Sequence, residues 1–340
     1  MSHKPPAYFL PQLRELLSTR RRCAITTHFN PDADALGSSL GLMHLLRAAG
    51  HEAQVVLPNT PSGDLHWMPG YREVTSHDVR RAESEAVLAG SDLLFCLDFN
   101  RADRVGQAEA ALRRAPVHVL IDHHREPDGF ARLAWTDTSA CATAQMIHDL
   151  AVAMGWQVHL DAEAATCLYA GIMMDSGSFR FSSTTPHTLR VAAALMEAGA
   201  VPERIHSAIM DNNREDRLRL LGFALNERME VFPDLGTALF TLSTDDLQRF
   251  QYRPGDTEGL VNYGLTMTGI RLAVFLVERP DVVKISMRSK GALPVNTFLA
   301  AHFNGGGHLN AAGGQEKAPL DTVRSKLMAA LPVFLAQHPE

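Results

Sequence analysis

The sequence predicts an α/β fold in which an N-terminal, mainly parallel sheet is flanked by helices and followed by a smaller C-terminal α+β domain. Short apolar runs alternate with helical stretches through the first half of the chain, as in sheets built from strand–helix–strand units. From about Val231 strand-like runs predominate, which is typical of an α+β domain. A length of 340 residues accommodates two domains.

Five apolar runs are the predicted strands of the first sheet, because each is short and bounded by polar residues. They are residues 23–27, 53–57, 93–97, 117–121 and 132–135. Helical patterns lie beside and between them, at residues 8–19, 35–49, 80–89, 102–114, 143–154 and 161–174. In the second of these helices we predict Asp34 as the N-cap and Gly50 as the stop. Small residues such as Gly37 and Ser38 make its first turns narrow, so we expect a close neighbour there.

The second half of the chain continues with helices and then strands. Two helices, at residues 188–198 and 202–209, precede the polar stretch 211–217, which we interpret as a connection between domains. The later strands are predicted at residues 237–242, 270–278 and 282–288, followed by a glycine-rich loop and a helix at residues 320–336.

Composition narrows the classes of function. The net charge of −6 lacks the basic excess of proteins that grip long duplex DNA, and a short anionic substrate suits it better. No apolar run is long enough to cross a bilayer, and the N-terminus lacks the apolar stretch of a signal peptide, so we expect a cytoplasmic protein. None of the four cysteines has C-x-x-C spacing. We therefore predict buried free thiols and no zinc–thiolate site.

Imidazoles and carboxylates follow the predicted strands at their carboxyl ends, the edge at which parallel sheets bind ligands. Oxygen and imidazole ligands suit hard divalent cations such as Mn²⁺ or Mg²⁺, and a pair of such ions is typical of hydrolases acting on phosphate esters. Taken singly, Asp34 could be only a helix cap and Asp98 only a turn residue. The whole set points to a metal site: His28, Asp32, Asp34, Asp98, Asp122, His123, His124 and Asp175.

A second set of candidates lies near the C-terminus. Gly305, Gly306 and Gly307 precede His308, and consecutive glycines let backbone N–H groups approach an anion. Arg271 and Arg288, beside predicted strands, could each hold a phosphate, although a solvated surface role is an equal alternative. Phe179-Arg180-Phe181 could stack on a base or simply pack, and we favour packing.

These motifs resemble the DHH phosphoesterase superfamily, DHH–DHHA1 subfamily, and they occur in the family's order over nearly the whole chain. The resemblance is nearest to the short-oligoribonucleotide phosphodiesterases, or nanoRNases, which often also dephosphorylate 3′-phosphoadenosine 5′-phosphate. It implies a DHH catalytic domain at residues 1–187, a helical connection at 188–229 and a substrate-binding DHHA1 domain at 230–340. One departure is Ser176, where family members often have threonine.

The resemblance also implies roles for the residues of the site. One Mn²⁺, with Mg²⁺ as the alternative, would be bound by His28, Asp32 and Asp98. The second ion would be bound by Asp34, Asp98, His123 and Asp175, so that Asp98 bridges the two. Asp122 would orient a ligand, and His124 would face the substrate phosphate. Nucleotide binding would fall to Arg288, the Gly305–Gly307 loop and His308.

The activity implied is Mn-dependent hydrolysis of short oligoribonucleotides to mononucleotides, with water activated between two metal ions. The alternative in the same subfamily is a phosphodiesterase for cyclic di-AMP or its linear product pApA, whose catalytic residues would be the same. A RecJ-type exonuclease and a pyrophosphatase fit less well, and a nucleotide-binding module that has lost catalysis would have lost ligands. Expected partners are small nucleotides, with no long duplex and no membrane. The oligomeric state stays open, a homodimer included.

Overall fold

The computed structural model describes residues 4–211 and 213–339, and the chain divides into two compact units between residues 212 and 213. This division falls inside the predicted helical connection. No helix in the described ranges combines the length and the apolar character needed to cross a membrane.

The first unit is built on a six-stranded sheet in which every pairing is parallel, in the order β3-β2-β1-β4-β5-β6. Its strands are β1 (Arg22–Thr26), β2 (Glu52–Leu57), β3 (Thr75–Ser76), β4 (Leu93–Leu97), β5 (His118–Asp122) and β6 (Leu133–Thr136). Its helices are α1 (Phe9–Leu16), α2 (Ala33–Ala48), α3 (Arg81–Gly90), α4 (Glu109–Leu112), α5 (Thr143–Met154), α6 (Ala162–Asp175), α7 (Pro186–Glu197) and α8 (Pro202–Met210).

Side chains from alternate strand positions enter two separate cores, one on each face of this sheet. Ile25 and Phe95 belong to the larger core, which includes α1, α2, α5 and α6. Ala24 and Leu94, their neighbours in sequence, belong to the smaller core with α3 and α4. The predicted parallel sheet flanked by helices is therefore confirmed.

The central strands β1 and β4 form the point at which the strand order reverses. The chain runs outward from β1 through β2 to β3, and outward on the other side from β4 through β5 to β6. In open parallel sheets the crevice outside the carboxyl ends of such a central pair is the usual place for a ligand. Residues that follow β1, β4 and β5 therefore converge on one crevice.

Several predictions for the first unit need correction. The N-cap of α2 is Asp32, whose Oδ1 accepts hydrogen bonds from the backbone N–H groups of Asp34 and Ala35, each at 3.0 Å. Asp34, the predicted cap, lies in the first turn and is fully buried. The predicted helix at 102–114 is a 3₁₀ segment interrupted at Gly106, followed by the short α4. Strand β3 was missed because two residues carry no detectable pattern.

Two other predictions for this unit are confirmed. The narrow start of α2 does have a close neighbour, because a Cβ atom at Gly37 would lie only 2.4 Å from the Cys167 carbonyl oxygen of α6. All four cysteines are buried free thiols.

The second unit contains a mixed six-stranded sheet, in the order β11-β12-β10-β9-β8-β7, with β8 and β9 parallel and the other pairs antiparallel. Its strands are β7 (Met229–Phe232), β8 (Thr237–Leu242), β9 (Leu272–Arg279), β10 (Val282–Ser289), β11 (Gly306–His308) and β12 (Ala311–Glu316). Its helices are α9 (Glu215–Glu227), α10 (Thr244–Arg249), α11 (Leu260–Leu265), α12 (Val295–His302) and α13 (Leu320–Gln337).

Two predictions for this unit were wrong in part. The polar stretch 211–217 is not all connection, because α9 begins at Glu215. The predicted glycine-rich loop includes β11, an edge strand that pairs with β12. The smaller α+β domain itself is confirmed.

Candidate metal centre

The first imidazole of the cluster comes from the loop after β1. His28 Nε2 lies 3.5 Å from Asp98 Oδ2, at the end of β4, and 3.9 Å from Asp32 Oδ2, at the start of α2. Asp32 uses its other oxygen to cap α2, so Oδ2 stays directed toward the histidine. The three ligand atoms of this group lie within 4.8 Å of one another.

The second imidazole comes from the loop after β5. His123 Nε2 lies 3.4 Å from Asp98 Oδ1 and 3.3 Å from Oδ2 of Asp175. Asp175 is the last residue of α6. Asp34 Oδ2 is 4.0 Å away. Asp34, His123 and Asp175 form a second group of three ligand atoms within 4.8 Å. Asp98 thus contacts both imidazoles, one with each of its oxygens.

His124 and Asp122 complete the cluster. His124 Nδ1 lies 2.7 Å from Asp122 Oδ1, a charge-assisted hydrogen bond, and 3.7 Å from Asp98 Oδ1. Asp98, His123 and His124 form a third possible group of ligands. All eight residues that the sequence singled out in this half of the chain therefore lie together.

Backbone carbonyls fix how His28 and His123 face the carboxylates. His28 Nδ1 is 3.0 Å from the Phe29 carbonyl oxygen, and His123 Nδ1 is 3.3 Å from the Ala140 carbonyl oxygen. A carbonyl only accepts, so each Nδ1 carries the proton. Each Nε2 is thereby directed at the carboxylates, and once it has lost its own proton it has the usual orientation of a histidine nitrogen that binds a metal.

Sequence reasoning missed Thr143, the first residue of α5. Its backbone N–H donates to Asp34 Oδ2 at 2.7 Å, and that of Ala144 donates to Asp34 Oδ1 at 2.8 Å. The positive end of α5 thereby stabilises a buried carboxylate. The Thr143 hydroxyl also donates to Asp98 Oδ1 at 2.9 Å. The only sequence signal was a threonine at a predicted helix start.

Asn59, just beyond β2, is a second missed residue. Its Oδ1 accepts from the Asn30 backbone N–H at 2.6 Å, and its Nδ2 donates to Asn30 Oδ1 at 3.2 Å. Asn30 has a left-handed backbone, with φ of 58°, in the middle of the loop from His28 to Asp32. This reciprocal pair holds the loop in a conformation that an isolated chain would rarely adopt.

Burial and neighbouring charges set the protonation of the cluster. Burial, reinforced by the Asp32 carboxylate, raises the pKa of Asp175 to about 8. Burial alone would lower the pKa of His28, but its contact with Asp98 raises that pKa to about 9. Burial also opposes ionisation of Asp98, yet hydrogen bonds from His123 and His28 hold its pKa well below the usual range. The protein alone therefore keeps protons on several potential ligands at neutral pH.

The donor set fits divalent cations. Within the described ranges, no lysine or arginine forms an ion pair with any carboxylate of the cluster, whose ion-pair partners there are the three histidines. Several buried carboxylates without a fixed cation are costly unless they are protonated or bind a metal. The ligand atoms are oxygen and imidazole nitrogen, which suit Mn²⁺ or Mg²⁺.

The arginines predicted to bind substrate have different surroundings in the second unit. Arg271 donates from Nη1 to the His338 carbonyl oxygen at 2.7 Å and from Nη2 to that of Leu335 at 3.4 Å, so it caps the end of α13. Arg288 is half-buried in β10 and donates to the Met287 carbonyl oxygen, and burial lowers its pKa. A desolvated guanidinium is the better prepared of the two to bind an anion.

The three glycines also differ in their surroundings. A Cβ atom at Gly305 would lie 2.4 Å from the Gly313 carbonyl oxygen, and one at Gly307, where φ is 138°, would lie 2.6 Å from that of Ala311. These two glycines are therefore required by the packing of β11 and β12. A Cβ atom at Gly306 would meet nothing within 4 Å, so the packing does not require a glycine at this position.

We expect Gly306→Ala and Gly305→Ala to have separable effects. Alanine at 305 forces two backbones apart and should lower the free energy of unfolding by about 1–3 kcal/mol. Alanine at 306 should leave stability within about 0.5 kcal/mol, because its methyl group would occupy open space. Urea unfolding of both variants measures this difference. Equal stability of the two variants would contradict the packing argument.

Comparison with known proteins agrees with this architecture. The N-terminal domain of the DHH family matches residues 22–172, and the DHHA1 domain matches residues 238–332. The bifunctional oligoribonuclease and PAP phosphatase NrnA of Thermus thermophilus is 34% identical over 311 residues, covering 90% of this chain and 88% of that protein. The protein of the same name from Bacillus subtilis is 30% identical over 292 residues, covering 84% and 86%.

A solved structure is also similar over nearly the full length. The crystal structure of an exopolyphosphatase-related protein from Bacteroides fragilis has a TM-score of 0.94 and 31% sequence identity, with 97% of each chain covered. These relatives and the two domain matches together show that the chain belongs to the DHH family, with a DHH domain in its first unit and a DHHA1 domain in its second.

Proposed function

We propose that this protein hydrolyses short oligoribonucleotides to mononucleotides and removes the 3′-phosphate from 3′-phosphoadenosine 5′-phosphate. The observation that carries the proposal is the position of Asp98, whose two oxygens face two separate groups of metal ligands. The names of the Thermus and Bacillus relatives, oligoribonuclease and PAP phosphatase, support the substrate class.

Two Mn²⁺ ions, with Mg²⁺ as the alternative, are proposed to share Asp98. One would be held by His28 and Asp32, and the other by Asp34, His123 and Asp175. When bound, such ions lower the pKa of water so that hydroxide forms near neutral pH, and they offset charge on the phosphoryl oxygens. We also propose that the protein is cytoplasmic and that it does not bind long duplex nucleic acid.

The protein's own residues position these groups. The carbonyls of Phe29 and Ala140 accept from the Nδ1 atoms of His28 and His123, and this keeps the Nε2 atoms of both rings turned toward the carboxylates. The hydrogen bond from His124 Nδ1 to Asp122 holds the His124 ring in place, and the imidazolium form of that ring would donate its Nε2–H to a phosphoryl oxygen. Asp122 is therefore a positioning residue in this proposal, whereas His124 touches the substrate.

In the second unit we propose Arg288, Gly306 and His308 as the nucleotide-binding residues. Arg288 offers a partly desolvated guanidinium, and Gly306 offers open space above its Cα atom into which a ligand can approach the backbone. Gly305 and Gly307 shape the strand that presents them. Arg271 is also proposed to bind the substrate, from its position at the end of α13, where two of its N–H groups already donate to carbonyl oxygens.

We expect metal binding at pH 7 to release protons and to strengthen as pH rises toward 9. Asp175, with a pKa of about 8, and His28, with a pKa of about 9, hold protons below those values, and each must lose its proton to act as a ligand. Acid therefore opposes binding. Calorimetry of Mn²⁺ binding in buffers of different ionisation enthalpy counts the protons released. Heats that do not depend on the buffer would contradict this expectation.

The test of function is hydrolysis by the full chain with Mn²⁺ on three substrates in parallel: pApA, 3′-phosphoadenosine 5′-phosphate and cyclic di-AMP. Fastest cleavage of pApA, with turnover of the second substrate, is the expected result. Fastest cleavage of cyclic di-AMP would move the role to second-messenger turnover. No cleavage, together with no rise in melting temperature on adding Mn²⁺, would leave a nucleotide-binding module without catalysis.

A further inference from the structure

The turn after Asp175 has an unusual backbone. Gly177, Ser178 and Phe179 all have positive φ, at 57°, 58° and 64°. Two non-glycine residues in the left-handed region persist only where the surroundings enforce them, and such strain concentrates at ligand-binding sites. Here the Ser178 N–H donates to the Met173 carbonyl at 2.7 Å, and the Phe179 N–H donates to Ser176 Oγ at 2.9 Å.

This left-handed turn sends its two phenylalanines in different directions. Phe179 turns inward and packs against Tyr169, with ring centroids 5.8 Å apart. Phe181, whose N–H donates to the Ser176 carbonyl at 2.9 Å, turns outward and keeps 48% of its surface exposed. Packing therefore accounts for Phe179 but leaves Phe181 half-exposed.

The Phe181 ring lies directly against the backbone of Gly177. A Cβ atom at Gly177 would lie 2.5–2.7 Å from three of its carbon atoms, so the ring rests on bare backbone. Arg180 is tied to the same glycine, since its Nε donates to the Gly177 carbonyl at 2.9 Å, and its guanidinium carbon is 5.8 Å from the Phe181 ring centroid. The described residues include no carboxylate in an ion pair with Arg180, which is exposed. A flat apolar face thus lies beside a cation.

This face lies close to the metal cluster. Two trans peptide bonds separate Gly177 from Asp175, so their Cα atoms are at most about 7.6 Å apart. The Asp175 carboxylate contacts His123 Nε2 at 3.3 Å. A nucleotide whose phosphate is at the cluster can therefore bring its base within reach of the ring on Gly177.

We propose that Phe181 is the surface on which the nucleobase beside the scissile phosphate stacks, with Arg180 drawing the anionic nucleotide toward it. The proposal rests on the proposed function, and it adds a determinant of specificity in the catalytic unit itself. A stacked base tolerates sequence variation, because every base has an aromatic face. Phe181 therefore favours nucleotides over phosphoesters without a base, because stacking lowers the KM of substrates that carry a base.

The test compares Phe181→Leu and Phe181→Trp in the full chain with Mn²⁺, on pApA and on the same diester with both bases removed. Leucine preserves apolar contact with Gly177 but cannot stack, whereas tryptophan can. We expect Phe181→Leu to raise KM for pApA roughly tenfold and to change the rate on the base-free diester less than twofold. Phe181→Trp should keep the parent KM. Tyr8→Leu, at an exposed aromatic residue bonded to the Ala134 carbonyl, is the control and should change neither substrate.

Equal losses on both substrates, or an unchanged KM for pApA in Phe181→Leu, would overturn the proposal. Failure of the parent protein to hydrolyse pApA would instead count against the proposed function. In that case fluorescence titration with a non-hydrolysable dinucleotide containing 2-aminopurine decides the matter. Binding weakened in Phe181→Leu but kept in Phe181→Trp supports stacking, and equal binding by both variants, or none by the parent, refutes it.

Discussion

Replacing Asp98 by asparagine is expected to lower kcat on pApA by at least about a hundredfold, the effect of removing one charged group on which an active site depends. Asp98 contacts His28, His123 and the Thr143 hydroxyl at 2.9–3.5 Å, and among the described residues it is the carboxylate that pairs with both imidazoles. The same change should reduce the rise in melting temperature that Mn²⁺ produces, because fewer ligands remain for both ions.

Asparagine is a better test here than alanine. Asp98 has φ of 65°, a left-handed conformation that asparagine tolerates better than alanine, so Asp98→Asn removes charge with less backbone strain. Asp149→Asn is the matched control: Asp149 is also buried, its two carboxylate oxygens share the Nε2–H of His187, and it lies outside the cluster. A parent-like rate and a parent-like response to Mn²⁺ in Asp98→Asn would rule out a shared bridging carboxylate.

The convergence of the cluster could be predicted because it depends on local patterns alone. Each buried strand is a short apolar run, and a parallel sheet aligns the carboxyl ends of its strands. The positions of His28, Asp98 and Asp122 at those ends therefore follow from the alternation of strands and helices. The structure has all three beyond or at the ends of β1, β4 and β5.

Contacts between residues distant in sequence could not be predicted in this way. Asp32 and Asp34 are both competent helix caps, and what turns Asp34 inward is the N-terminus of α5, more than a hundred residues later. The contacts of Thr143 are also between residues distant in sequence. Its backbone N–H donates to Asp34 in α2, and its hydroxyl donates to Asp98, which follows β4. In the second unit, Gly305 looks identical to Gly306 in sequence, and only the pairing of β11 with β12 separates their roles.

Gly37→Ala is expected to lower the free energy of unfolding of the first unit by about 1–3 kcal/mol and to weaken metal binding with it. The added methyl group would lie 2.4 Å from the Cys167 carbonyl oxygen, which is backbone and cannot rotate away, so α2 and α6 must separate. The two helices carry Asp34 and Asp175, and their separation would pull these ligands apart. Gly90→Ala, at the end of α3, is the control, because its nearest neighbour would be a flexible Arg22 guanidinium at 3.9 Å.

The measurement is urea unfolding together with Mn²⁺ titration of both variants. If close contact of α2 with α6 sets the ligand spacing, Gly37→Ala should lose stability and Mn²⁺ affinity together, while Gly90→Ala keeps both. Lost stability with parent-like affinity would mean that the ligands adjust independently of the helices. That outcome would mean that the ligand spacing depends on the N-terminus of α5, where the N–H groups of Thr143 and Ala144 hold Asp34, and not on the contact between α2 and α6.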